Sequence, residues 1–117
     1  MNKIAARYVQ QAKLYIDNNF NKNIRVRDVA REVFVNERYL YNLFMKYEKI
    51  SIKEYINQKR YNMACELLSS TALTVSEIGQ TVRYVDVLNF SKFFSGQAGI
   101  SPLMYRKKIA NNKYSHE

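Results

Sequence analysis

Arg38, Tyr41 and Asn42 fall on one face of a helical repeat whose other face carries Leu40, Leu43, Phe44 and Tyr47. A guanidinium donates two hydrogen bonds to guanine, and a carboxamide pairs bidentately with adenine. A phenol can serve a base or a phosphate. Further along, Val87, Leu88, Asn89, Ser91 and Lys92 form the outward side of a second pattern, with Phe90, Phe93 and Phe94 inward. Val87 and Leu88 are apolar groups on a face with little reason to be apolar. Contact with thymine methyls is one use for them, and burial against a neighbouring domain is another. Asn89 and Lys92 can read bases or anchor the helix. Arg25, Arg27, Lys46, Lys49, Arg83, Ser91, Lys107 and Lys108 are the candidates for phosphate contacts. An ordinary solvated helix face is the plain alternative for each polar set.

The overall charge favours such a partner. Nineteen Lys and Arg against ten Asp and Glu give a formal +9, which attracts polyanions, nucleic acid first and an anionic membrane second. Catalysis is disfavoured. The one His116 is expected at a frayed terminus, Cys65 belongs to an apolar helical pattern with Tyr61, Ala64 and Leu68, and carboxylates do not cluster. No metal site or cofactor is implied. A single cysteine excludes an internal disulfide and suits the cytoplasm. No apolar run approaches the ~18 residues of a membrane span.

Elements must position these side chains, and the composition points to helices: three glycines and one proline are too few turn residues for a many-stranded fold. At 117 residues the chain is expected to form one domain around one core. Seven helices are predicted. The first covers 3 to about 20, with Ala5, Tyr8, Val9, Ala12, Ile16 and Phe20 at helical spacing. The second covers 26–33 and starts weakly, because Arg25 is a poor N-cap. Asn36 caps a third through Tyr47. Ser51 with Glu54, and Thr74 with Glu77, have capping-box spacing and open helices to Ser69 and Val82. Asp86 caps a sixth to Gln97. Ser101 and Pro102 open the seventh, which runs to about 110. Tyr15, Tyr55, Tyr61 and Phe93 are expected in the core.

An internal repeat organises these helices. Val29, Ala30 and Val33 recur 49 positions later as Ile78, Gly79 and Val82. After a one-residue insertion, Asn36, Leu40, Leu43, Phe44, Ile50, Ser51 and Tyr55 recur as Asp86, Phe90, Phe93, Phe94, Ile100, Ser101 and Tyr105. Each copy is a short helix, a tight turn and a longer capped helix, the proportions of a helix-turn-helix. The expected architecture is all-α, with helix-turn-helix units at about 24–48 and 74–97 joined by a long linker helix at about 51–69. A helical bundle grown by duplication, docking on a protein or an anionic membrane, is the alternative.

The residues resemble the DNA-binding domain of AraC/XylS-type bacterial transcription regulators. The resemblance rests on Ile78-Gly79, Tyr84, Asp86, Phe90-Ser91-Lys92, Phe94, Gly99, Ser101-Pro102 and Tyr105-Arg106. In the first copy it rests on Asp28-Val29-Ala30, Tyr39-Leu40 and Leu43-Phe44, and in the linker on Arg60 and Ala64 to Leu68. It spans about residues 8–108. It implies double-stranded DNA and RNA polymerase as partners, with no membrane. It also implies two recognition helices in adjacent major-groove segments about 34 Å apart. Within the family the residues look most like regulators of sugar-metabolism genes in low-GC Gram-positive bacteria. Response-regulator output domains are the second possibility, so a sensor or receiver domain can precede this segment on a parent chain. Three positions depart from the family pattern. Arg83 stands where the turn glycine is usual and is expected to need positive φ. Gly79 replaces alanine and is expected to weaken its helix by up to about 1 kcal/mol. Ser95-Gly96 replaces a basic pair. The first unit is therefore expected to be the main base reader, and the second the weaker.

Overall fold

The computed structural model describes residues 3–114, with side chains through Asn112; His116 lies outside the described residues. Among the described residues there are seven helices and no strand, so the chain is all-α. They are α1 (Lys3–Asn19), α2 (Val26–Glu32), α3 (Glu37–Glu48), α4 (Ile52–Ser70), α5 (Val75–Thr81), α6 (Val87–Ala98) and α7 (Pro102–Tyr114).

Most starts are local chemistry. The Asn36 carboxamide oxygen accepts from the backbone N–H groups of Arg38 and Tyr39 at 2.9 and 3.1 Å. Asp86 accepts from Leu88 N–H at 2.8 Å, and Ser101 from Met104 N–H at 3.2 Å. At Ser51 and Thr74 the hydroxyl accepts from the N–H of Glu54 and Glu77 and donates back to the same residue's carboxylate. The start of α2 is better marked than Arg25 suggests. The Asp28 carboxylate accepts from the Arg25 backbone N–H at 2.8 Å, so the cap comes from inside the helix.

The expectation of one core is corrected. The chain divides into two compact units, residues 1–59 and 60–117, each with its own apolar cluster. The reason lies in α4. Ile52, Tyr55 and Ile56 face the first cluster and Ala64 and Leu68 the second. The polar run Asn57-Gln58-Lys59-Arg60 separates them.

In the first unit α1 packs on α2 and α3, and α2 on α3. Val9, Ala12, Ile16, Val29, Leu40, Phe44 and Ile52 are fully buried, each large side chain contributing about 1.5–3 kcal/mol. Tyr55 meets Phe44 edge-on at 5.5 Å and donates its hydroxyl to Asp17 at 2.8 Å. Burial, then that bond, hold the phenol protonated well above its usual range. Lys59 pairs with the same Asp17, and Lys13 with Glu48.

In the second unit α6 packs on α5 and α7. Phe94 sits between Tyr61 and Tyr105, with ring centroids 5.2 and 5.4 Å away. Phe93 stacks on Tyr84 at 4.8 Å. Cys65 is half-buried here rather than fully buried, and hydrogen-bonds with Tyr61 and Tyr105. Burial, helped by that bond, pushes the Tyr61 hydroxyl up to about 12.

Candidate nucleic-acid interface

α3 turns its apolar side, Leu40 and Phe44, into the first core and leaves Arg38, Tyr41, Asn42 and Met45 outside. The three polar members are thus brought to one surface. The Asn36 amide oxygen is occupied in capping, so its carboxamide cannot pair bidentately with a base while the cap holds. Beside the start of α3 lies a groove of about 440 Å³ lined by Val26, Asn36, Glu37, Arg38 and Tyr41. It brings the α2 start next to the α3 start, with Arg25 and Arg27 exposed nearby in sequence. Lys46 is exposed on the same helix, its ammonium 5.7 Å from the Tyr47 ring.

α6 buries Phe90 and Phe94 and exposes Val87, Leu88, Asn89 and Lys92, whereas Ser91 is only half-exposed. Leu88 is 69% exposed, and the inserted residue Val85, which the sequence reading passed over, is 84% exposed. Three apolar side chains therefore mark the entry to the second recognition helix. Lys107 and Lys108 are exposed on α7, a different helix from the one that carries the reading set.

The two turns share a strained backbone. Arg83 has φ 77°, as expected from its place in the turn, and Phe34, its counterpart in the first copy, has φ 61°. Neither is glycine, and Phe34 is 92% exposed. The C-caps of the recognition helices match as well: Lys49 is left-handed at φ 66° and Gly99 at φ 80°. Lys49 thus projects a cation from a position where glycine would be easier.

Around Arg83 charge accumulates. Arg60 on α4 has its pKa lowered mainly by burial, with Tyr84 opposing and the like charge of Arg83 adding to the shift. The guanidinium stays charged at any physiological pH. Arg106 does something the sequence did not announce. Its Nε donates to the Leu68 carbonyl at 3.1 Å, and a terminal nitrogen donates to the Thr71 carbonyl at 3.3 Å. It caps the C-terminal end of α4, whose last turn has no basic residue of its own.

Gly79 calls for a different account from the expected weakening of its helix. It is buried, and a Cβ there would meet the Phe90 side chain at 3.1–3.3 Å. The matching pair in the first unit is Ala30 and Leu40, so a smaller residue on the short helix faces a larger one on the recognition helix. By contrast, Gly96 has open space around it, and neither it nor Ser95 supplies a cation.

This arrangement has a family. Residues 29–108 match the helix-turn-helix domain family of AraC type. The chain belongs to that family. Two curated relatives, the Msm operon regulatory protein of Streptococcus mutans and the lactose operon transcription activator of Staphylococcus xylosus, are each 40% identical over 105 and 106 residues. Both alignments cover 90% of this chain and 38% of the relative, so the chain spans about two fifths of those proteins. The C-terminal domain of AraT, a response regulator from Geobacillus stearothermophilus, superposes with a TM-score of 0.84 at 31% identity, covering 86% of this chain and 84% of that one. The AraC-type chain is a DNA-binding domain of transcription regulators. Among the described residues no group of His, Cys, Asp and Glu could hold a metal ion, and no helix is long and apolar enough to cross a membrane.

Proposed function

We propose that this AraC-type domain binds a specific double-stranded sequence as part of a regulator of sugar-uptake or sugar-metabolism genes. Recognition helices α3 and α6 would enter adjacent major-groove segments. The observation that carries the residue assignment is the exposure of Arg38, Tyr41 and Asn42 together on the face of α3 opposite its buried Leu40 and Phe44. Arg38 reads guanine, Asn42 reads adenine, and Tyr41 serves a base or a phosphate. On α6, Val87 and Leu88 meet thymine methyls, while Asn89 and Lys92 read or anchor. Arg25, Arg27, Lys46, Lys49, Arg83, Ser91 and Lys107 hold phosphates.

The sugar-operon reading is supported by the 40% identity to the Msm and lactose operon regulators. A response-regulator output role is the second reading, favoured by the likeness to the AraT domain. Either places the domain with the chromosome in the cytoplasm, acting on RNA polymerase at a promoter and joined to a sensor or receiver domain on the same chain. Selection of bound duplexes from a random pool, followed by titration at two salt concentrations, tests the DNA reading. It predicts an enriched sequence and a steep fall of log affinity with log salt. A protein- or membrane-docking bundle would enrich nothing and prefer anionic vesicles.

A further inference from the structure

Glu37 is the first residue of α3, exposed, and lines the groove shared with Val26, Asn36, Arg38 and Tyr41. Among the described residues its carboxylate makes no hydrogen bond or ion pair. The adjacent Arg38 does not neutralise it, since neighbours in a helix do not face each other. An unpaired anion on a surface that must approach phosphates weakens binding unless it meets a donor on the DNA.

The major groove narrows the choice. A carboxylate can only accept, and the bases offer donors there at the amino groups of cytosine and adenine. In its pair the adenine amino group lies between two acceptors, its own N7 and the thymine O4, which repel a third, whereas the cytosine amino group has one such neighbour, the guanine O6, and only C5–H on its other side. At the matching position the second unit carries Val87, an apolar group that cannot make this distinction.

We propose that Glu37 is a specificity-determining residue of the first unit, accepting a hydrogen bond from a cytosine amino group close to the base read by Arg38. The inference rests on the DNA-binding reading above. It implies that the first unit reads through both polarities of hydrogen bond, donor at Arg38 and acceptor at Glu37. It also implies that the carboxylate lowers affinity for every duplex that lacks cytosine at that place.

The test titrates the full chain, Glu37→Ala and Glu37→Gln against the duplex selected by the unaltered chain, its single-base-pair variants and an unrelated duplex. The unaltered chain should prefer cytosine at one position by about 10-fold or more. Glu37→Ala should lose that preference, keep the others within about twofold, and bind the unrelated duplex more tightly because a repulsive charge is gone. Glu37→Gln should move the preference toward adenine, which a carboxamide pairs bidentately. Unchanged preferences at every position, whether or not affinity rises uniformly or the melting temperature falls, would overturn the proposal and leave Glu37 a helix-start or charge residue. If the unaltered chain showed neither sequence preference nor salt dependence, the DNA reading would fail and this inference with it.

Discussion

Lys49 holds a left-handed backbone that glycine holds at the matching position, Gly99. An L-residue there costs about 1–2 kcal/mol relative to a right-handed conformation, a cost glycine avoids. A lysine at this cap is explained if its charge is used, as in the phosphate contact proposed for it. Lys49→Gly should therefore raise stability by about 0.5–1 kcal/mol in denaturant titration and weaken duplex binding with a shallower salt slope. If affinity were untouched, Lys49 would have no phosphate contact. Arg38 is a different case, since the role proposed for it is to read rather than anchor. Arg38→Ala should cost about 1–3 kcal/mol at one base position and little elsewhere. A loss uniform across sequences would reassign it to the backbone. The positive φ of Arg83 was foreseeable from the turn it occupies. That of Phe34 was equally available, because the repeat aligns the two positions 49 residues apart.

At the scale of elements, helix starts were legible wherever the cap is a short polar side chain acting on the next turn, as at Asn36, Ser51, Thr74 and Asp86. The α2 start was obscured because Arg25 has no acceptor and Asp28, three residues on, does the work. Contacts between distant segments left no local trace. Arg106 capping α4 joins residues 38 apart, and Gly79 against Phe90 depends on how closely α6 seats on α5. Both can be tested. Arg106→Met removes the donors and should lower stability by about 1–3 kcal/mol, measured by denaturant unfolding, since the Leu68 carbonyl is part-buried. Gly79→Ala should gain less than the roughly 1 kcal/mol expected from helix propensity, because Phe90 must give way. In a Phe90→Leu background the same change should gain more. Equal effects in both backgrounds would mean that the Gly79–Phe90 contact does not couple the two helices.

For the whole molecule, the all-α architecture and the repeat were legible because amphipathic period and caps agree along the chain. The division into two cores was not, since a 19-residue α4 reads as one uninterrupted helix while its inward residues serve different clusters. The candidate site followed the same pattern. The outward face of α3 followed from its buried stripe, whereas the role of Glu37 emerged only when the groove beside Arg38 and Tyr41 was visible. The two units differ in the chemistry they present, charged and polar on α3, mixed apolar and polar on α6, so their bound sequences should differ and need not be palindromic.

The central claim is that one chain reads two groove segments, the first unit contributing most of the discrimination. Quantitative footprinting of the chain on its selected duplex tests it most directly, with Arg38→Ala/Asn42→Ala and Leu88→Ala/Lys92→Ala variants alongside. The account predicts one chain per duplex protecting two adjacent segments, with the α3 variant losing one of them and the larger share of affinity, and the α6 variant losing the other. Protection of a single segment, or loss of the same segment in both variants, would contradict it.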